Sequence, residues 1–127
     1  MQSVLYVDDE PDIREVVEMS LALAADLAVE SCGSGEQALE LMAAQRPDMV
    51  LLDVMMPGLD GPGTLARMRA DARLAGIPVV FLTAKALPAE IQRFLALGAV
   101  AIIPKPFDAL KLADQVRAIW DGLPDAG

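Results

Sequence analysis

The stretch Met49-Val50-Leu51-Leu52-Asp53-Val54-Met55-Met56-Pro57 carries the reading of the fold. Four apolar residues run directly into a carboxylate, and a turn with proline follows. A short, nearly continuous apolar run bounded by turn residues is the pattern of a strand buried on both faces, as in a parallel sheet covered by helices. Ending such a strand on a charge is costly unless the charge finds a partner. Asp53 therefore directs attention to what stands at the same end of the other strands.

Similar runs occupy Ser3 to Val7, Leu27 to Ser31, Pro78 to Leu82 and Val100 to Ile103, with Met49 to Leu52 third of the five. Stretches of helical periodicity alternate with them. Pro11 to Ala24 places Ile13, Val16, Val17, Ser20, Leu21 and Ala24 on one stripe, with Arg14, Glu15 and Glu18 opposite. Ser34 and Gln37 form a capping-box pattern that opens a second helix through Leu41 and Met42, stopping before Arg46-Pro47. A third helix begins after Gly61, near Pro62 to Thr64, and runs to about Leu74. Pro88 suits the first turn of a fourth, which Gly98 ends. Asp108 caps a fifth with the inner stripe Leu112, Val116 and Ile119, closed by Gly122 and Pro124. Five such βα units predict an α/β doubly wound sandwich with its ligand cleft at the carboxyl ends of the strands.

Polar groups gather at those ends. Asp8 and Asp9 follow the first strand, Asp53 the third, Thr83 the fourth and Lys105 the fifth. Three carboxylates in one cleft repel one another, so a cation is implied. Oxygen ligands without His or Cys point to a hard ion, and a few carboxylates with water suit Mg²⁺ better than Ca²⁺. Lys105 and Thr83 can serve further oxygens of a phosphoryl group, and Asp53, ending the central strand, is the candidate nucleophile for an acyl phosphate. Each residue also has a plain reading. The acids from Asp8 to Asp12 favour the positive end of the first helix, Lys105 is a solvated lysine, and Thr83 bonds the backbone. Taken together these plain readings require four coincidences.

The bulk numbers narrow the partners. At 127 residues one domain is expected, over 1–122, with 123–127 a tail or the start of a linker. Ten basic against 19 acidic residues, a net charge of -9, disfavour direct contact with nucleic acid, whose backbone requires clustered Lys and Arg. No His is present, so a phospho-histidine donor must be another protein. Cys32 is the one cysteine, which fits a reducing compartment. No apolar run reaches the length of a membrane span and no signal peptide is read, so a cytoplasmic location is expected. Gly33-Ser34-Gly35 lacks the Gly-Lys-Ser/Thr of a nucleotide P-loop. Trp120 is expected to be a half-buried packing residue.

The pieces Val7-Asp8-Asp9-Glu10, Leu51 to Pro57 with Gly61, Leu82-Thr83-Ala84 and Pro104-Lys105-Pro106-Phe107 resemble the receiver domain of two-component response regulators, from Val4 to about Trp120. The resemblance implies the flavodoxin-like five-stranded sheet in the order 2-1-3-4-5. It implies Asp53 as phosphoacceptor, Asp9 as a direct Mg²⁺ ligand, Asp8 acting partly through water, and the Met55 carbonyl as a further ligand. It implies a histidine kinase or histidine phosphotransfer protein as donor, and a cis peptide before Pro106 that aims Lys105. Thr83 would be drawn to the phosphoryl group, reshaping a target-binding face of the fourth helix, fifth strand and fifth helix. Such a domain signals rather than turns over substrate.

Several positions tune or depart from that pattern. The family usually has Tyr or Phe three residues before the lysine, where this chain has Ile102, so a smaller or differently coupled switch is expected. Met55, two residues after Asp53, and Lys85, two after Thr83, tune the acyl phosphate in this family and are expected here to give slow self-hydrolysis, with Ala84 beside Thr83 among the tuning positions. A phosphohydrolase of the haloacid dehalogenase type is the enzymatic rival, but its second aspartate is replaced here by Met55. A pseudo-receiver that binds partners without phosphorylation is the other alternative. With no further module after Gly122, either a stand-alone regulator or a domain excised from a longer protein is expected.

Overall fold

The computed structural model describes residues 1–23 and 27–124. Five parallel strands, β1 (Ser3–Val7), β2 (Ala28–Cys32), β3 (Met49–Asp53), β4 (Val79–Thr83) and β5 (Ala101–Pro104), alternate with helices α1 (Pro11–Ala22), α2 (Gly35–Ala44), α3 (Gly61–Ala70), α4 (Pro88–Leu97) and α5 (Ala109–Asp121). The sheet order is β2-β1-β3-β4-β5, as the family resemblance implies. All residues of β3 and β4 are buried, whereas the edge strands β2 and β5 are partly exposed.

Alternating side chains divide the core between the two faces of the sheet. Leu5, Val7, Val50, Leu52, Val79 and Phe81 pack against α2, α3 and α4. Val4, Tyr6, Met49, Leu51, Val80 and Leu82 pack against α1 and α5, through Val17, Leu21, Leu112 and Val116. On the first face the Phe94 ring meets Phe81 edge-on, with centroids 5.2 Å apart, which pins α4 to β4. Trp120 is half-buried against the second face, as expected.

The turn chemistry explains most helix ends. Ser34 Oγ accepts from Gln37 N–H at 3.1 Å, the forward bond of a capping box, while Gln37 Oε1 reaches one residue past the cap and accepts from Gly33 N–H at 3.1 Å. Asp60 accepts from Gly63 N–H at the start of α3, and Asp108 from Leu110 N–H at the start of α5. Gly98 closes α4 at φ 115°, a backbone conformation that suits glycine.

Three expectations need correction. The strands β2, β4 and β5 each lie one residue later than the apolar runs suggest, and Asp53 and Thr83 are the last residues of their strands rather than the first beyond them. The third helix stops at Ala70 instead of about Leu74, because Asp71 leaves the helical conformation and its carboxylate accepts from Arg73 N–H at 2.9 Å. In α1 only Val17 and Leu21 of the expected stripe are fully buried. Ile13 and Val16 are exposed and line a depression with Lys105, Phe107 and Ala109. The helix is assigned through Ala22; Ala24, read as part of that stripe, lies outside the described residues.

Candidate functional site

The parallel register brings four strand ends to one rim. Val7 pairs with Leu52, Asp53 with Leu82, and Thr83 with Pro104. Consequently Asp8, Asp9, Asp53, Thr83 and Lys105, spread over the sequence, share one cleft. Asp8, Asp53 and Thr83 are buried while Asp9 is exposed. One oxygen from each of Asp8, Asp9 and Asp53 falls within 4.8 Å of the others.

Lys105 faces this acidic group. Its Nζ lies 3.0 Å from Asp53 Oδ2 and 3.5 Å from Asp8 Oδ2. Its amide N–H donates to the Thr83 carbonyl at 2.8 Å, and the bond from Lys105 to Pro106 is cis. Burial pushes the Asp53 carboxyl above its usual range, opposed by Lys105 and reinforced by Asp8. Burial would lower the Lys105 ammonium, but Asp53 and Asp8 outweigh it and its pKa is raised. A carboxylate so placed is poised to welcome added positive charge. The all-oxygen acidic set, with one ammonium opposite, fits a hard divalent cation such as Mg²⁺.

The neighbouring positions are held by backbone contacts. Met55 N–H donates to Asp53 Oδ1 at 3.4 Å, and its side chain is exposed. Thr83 Oγ1 accepts from Lys85 N–H at 3.0 Å, leaving the hydroxyl proton available to a ligand. Lys85 and Ala84 are exposed at this rim. Ile102 is half-buried on the α4 side of the sheet, paired in register with Phe81. Gly61 is confined by the same end of β3: a Cβ there would lie 2.6 Å from the Asp53 carbonyl oxygen and 2.8 Å from Val54 Cα.

Two residues at the site escaped sequence reasoning. Tyr6, wholly buried in β1, donates its hydroxyl to Asp8 Oδ2 at 2.8 Å. Burial, then Asp8, pushes its phenol above the ordinary value. Arg14 donates to the Asp8 carbonyl at 2.7 Å, fastening α1 to the loop after β1. The Tyr6 signal was present in the spacing, since residues two apart on a strand share a face. Nothing in the periodicity marked Arg14, which lies on the polar side of its helix.

A doubly wound five-stranded domain with three aspartates, a hydroxyl and a lysine at its carboxyl rim defines a class of acidic-cleft α/β proteins. Within that class the chain belongs to the response regulator receiver domain family, whose profile matches residues 4–117. It is 37% identical over 115 residues to response regulator Rre1 of Synechocystis, covering 91% of this chain and 50% of that protein. It is 40% identical over 118 residues to the DNA-binding response regulator MtrA of Mycolicibacterium smegmatis, covering 92% and 50%. The chain thus spans about half the length of these relatives. Among solved structures, chemotaxis protein CheY4 of Vibrio cholerae aligns with a TM-score of 0.86 at 30% identity, covering 94% of this chain and 98% of that one. These relationships point to a signalling role. No helix among the described residues is long and apolar enough to cross a membrane.

Proposed function

We propose that this chain is a phosphorylation-dependent signalling domain of a two-component phosphorelay, with Asp53 as the residue that accepts the phosphoryl group. The observation that carries the reading is the ion pair between Lys105 Nζ and Asp53 Oδ2 at 3.0 Å, with Asp8 and Asp9 oxygens within 4.8 Å of Asp53. Asp8, Asp9, Asp53 and the Met55 carbonyl are the residues to hold Mg²⁺. When bound, the ion neutralises charge among the carboxylates and the phosphoryl oxygens. An Asp53 carboxylate oxygen forms the new bond to phosphorus as the N–P bond of a phospho-histidine breaks. The departing imidazole nitrogen takes a proton from solvent. Lys105 stays with the phosphoryl oxygens and the Thr83 hydroxyl donates to another.

The donor is a histidine kinase or histidine phosphotransfer protein, because this chain has no His. Asp53 is buried, so that partner must seat on the rim itself. An apolar depression of about 400 Å³ lies there, between Ile13 and Val16 of α1 and Phe107 and Ala109 at the start of α5, with Lys105 in its wall. Exposed apolar side chains collected at a concave rim suit a protein partner. The output face is the one made by α4, β5 and α5, and target binding there needs no direct contact of this acidic chain with nucleic acid. Neither exposed apolar Met55 nor exposed Lys85 brings a carboxylate or amide of its own to orient water at the acyl phosphate, so its self-hydrolysis is slow.

Intact-mass measurement with acetyl phosphate and Mg²⁺ tests the assignment. One added phosphoryl group on the wild type and none on Asp53→Asn is the expected result. An unlabelled wild type would place the chain among pseudo-receivers, and a labelled Asp53→Asn would move the acceptor elsewhere.

A further inference from the structure

The hydroxyl of Tyr6 is chemically out of place in the strand Ser3-Val4-Leu5-Tyr6-Val7. Its ring fills the core between the sheet and the α1 and α5 layer, among Val17, Leu21 and Val116, and a phenylalanine could supply that packing alone. A buried hydroxyl is costly unless hydrogen-bonded. Tyr6 and Asp8, two residues apart, point to the same side of the sheet, and the hydroxyl donates to Asp8 Oδ2 at 2.8 Å.

Asp8 is held from both ends. Oδ2 receives the Tyr6 hydroxyl and faces Lys105 at 3.5 Å, while Oδ1 receives the Glu10 N–H at 3.0 Å. The backbone of Asp8 is fixed as well, by its N–H to the Cys32 carbonyl and its carbonyl to Arg14. Tyr6 is the one neutral side-chain donor in this set. Without it, Oδ2 would depend on an ammonium that sits closer to Asp53, and Lys105 would be divided between two buried carboxylates.

We propose that Tyr6 is a positioning residue of the acidic cleft: its hydroxyl locks the buried Asp8 carboxylate in the orientation from which Asp8 serves the divalent cation. The inference rests on the metal-assisted reading above. Outer groups that orient metal-binding side chains typically account for about 10- to 100-fold in metal affinity. A tyrosine retained only for packing would account for none.

The test titrates the full chain with Mg²⁺ alone by isothermal calorimetry, in wild type and Tyr6→Phe, with thermal melts to verify that both are folded. Tyr6→Phe is expected to bind Mg²⁺ about tenfold more weakly. An affinity within threefold of wild type, or tighter, overturns the proposal while leaving the metal-assisted reading standing. A wild type that fails to bind Mg²⁺ overturns both. A second measurement needs no substitution at this position. Because the chain has one tyrosine, wild type grown with 3-fluorotyrosine gives a single fluorine resonance. It is expected to shift with the calorimetric midpoint, and a resonance unmoved by saturating Mg²⁺ overturns the proposal.

Discussion

Lys105 and Asp53 are joined by a 3.0 Å ion pair in which the carboxylate is nearly buried and the lysine side chain about three-quarters so. The same ammonium also pairs with the carboxylate of the wholly buried Asp8, at 3.5 Å. One positive charge thus compensates two buried negative ones, and the balance of the cleft is tilted towards accepting more positive charge. That imbalance is what the proposed Mg²⁺ would relieve.

Removing the lysine takes the ion pair from both carboxylates. Breaking a buried pair from one side is more damaging than never having built it. Lys105→Ala is expected to lower stability by about 1 to 3 kcal/mol at neutral pH in metal-free buffer, less than the roughly 3 to 5 kcal/mol of a fully buried pair because the lysine is partly exposed. Urea unfolding measures this. Labelling by acetyl phosphate should slow at the same time, since the charge facing the phosphoryl oxygens is gone. An unchanged unfolding midpoint would show that Lys105 contributes nothing to the fold.

Asp53, the proposed acceptor, should behave in the opposite way. The Asp53 carboxyl is raised above its usual value by burial, so the folded state holds its proton more tightly than the unfolded chain does. For a raised acid, ionisation penalises the folded state. The penalty is absent below the unfolded value, near 3.8, and complete above the folded one. Asp53→Asn therefore raises Tm at neutral pH without Mg²⁺, by about 1 to 2 kcal/mol of stability. The gap between variant and wild type narrows as pH falls towards 3.8, and saturating Mg²⁺ reduces it at neutral pH. Melts of the two proteins over that range decide the matter, and an asparagine variant less stable than wild type at neutral pH contradicts it.

Gly61 ties α3 to the end of β3, with its N–H on the Val54 carbonyl at 3.0 Å and no room for a Cβ against Asp53 and Val54 backbone atoms. Backbone cannot yield as a flexible side chain can. Gly61→Ala is expected to destabilise by about 1 to 3 kcal/mol, as overpacking does. It should also slow phosphorylation, because the strand end that carries Asp53 must shift. Normal labelling in a destabilised variant would separate the fold from the site.

The cleft was legible because topology, rather than local pattern, assembles it. Any parallel sheet of buried strands delivers its carboxyl ends to one rim, so Asp8, Asp9, Asp53, Thr83 and Lys105 could be grouped from strand ends alone. The strand order could not, since every order of five buried strands has the same periodicity; it came with the resemblance. Helical periodicity defined the apolar stripe of α1 but not which of its members are covered: Val17 and Leu21 are buried while Ile13 and Val16 are exposed. Tyr6 lies unremarked inside the apolar run Ser3 to Val7, because periodicity weighs a ring by its burial and ignores its hydroxyl. The early end of α3 followed from an Asp71 turn inside a stretch that still looked helical.

A switch of the proposed kind would have to pass through the face between β4, β5 and α4. Ile102 stands beside Phe81 in register, and Phe81 in turn carries the edge of Phe94 from α4 at 5.2 Å. Ile102 has no hydroxyl to exchange partners and no ring to rotate inward when Thr83 moves, while Phe94 is wholly buried and holds the middle of α4. Beryllofluoride with Mg²⁺, as a phosphoryl mimic, is therefore expected to move amide resonances strongly around Asp53, Thr83 and Lys85. Those beyond Phe94 should move little. Phe94→Leu removes the edge contact at modest packing cost, about 1 kcal/mol, and should let the perturbation spread along α4. Large shifts through Leu97 in the wild type would show that α4 moves without an aromatic at position 102, and that Ile102 is no barrier to the switch.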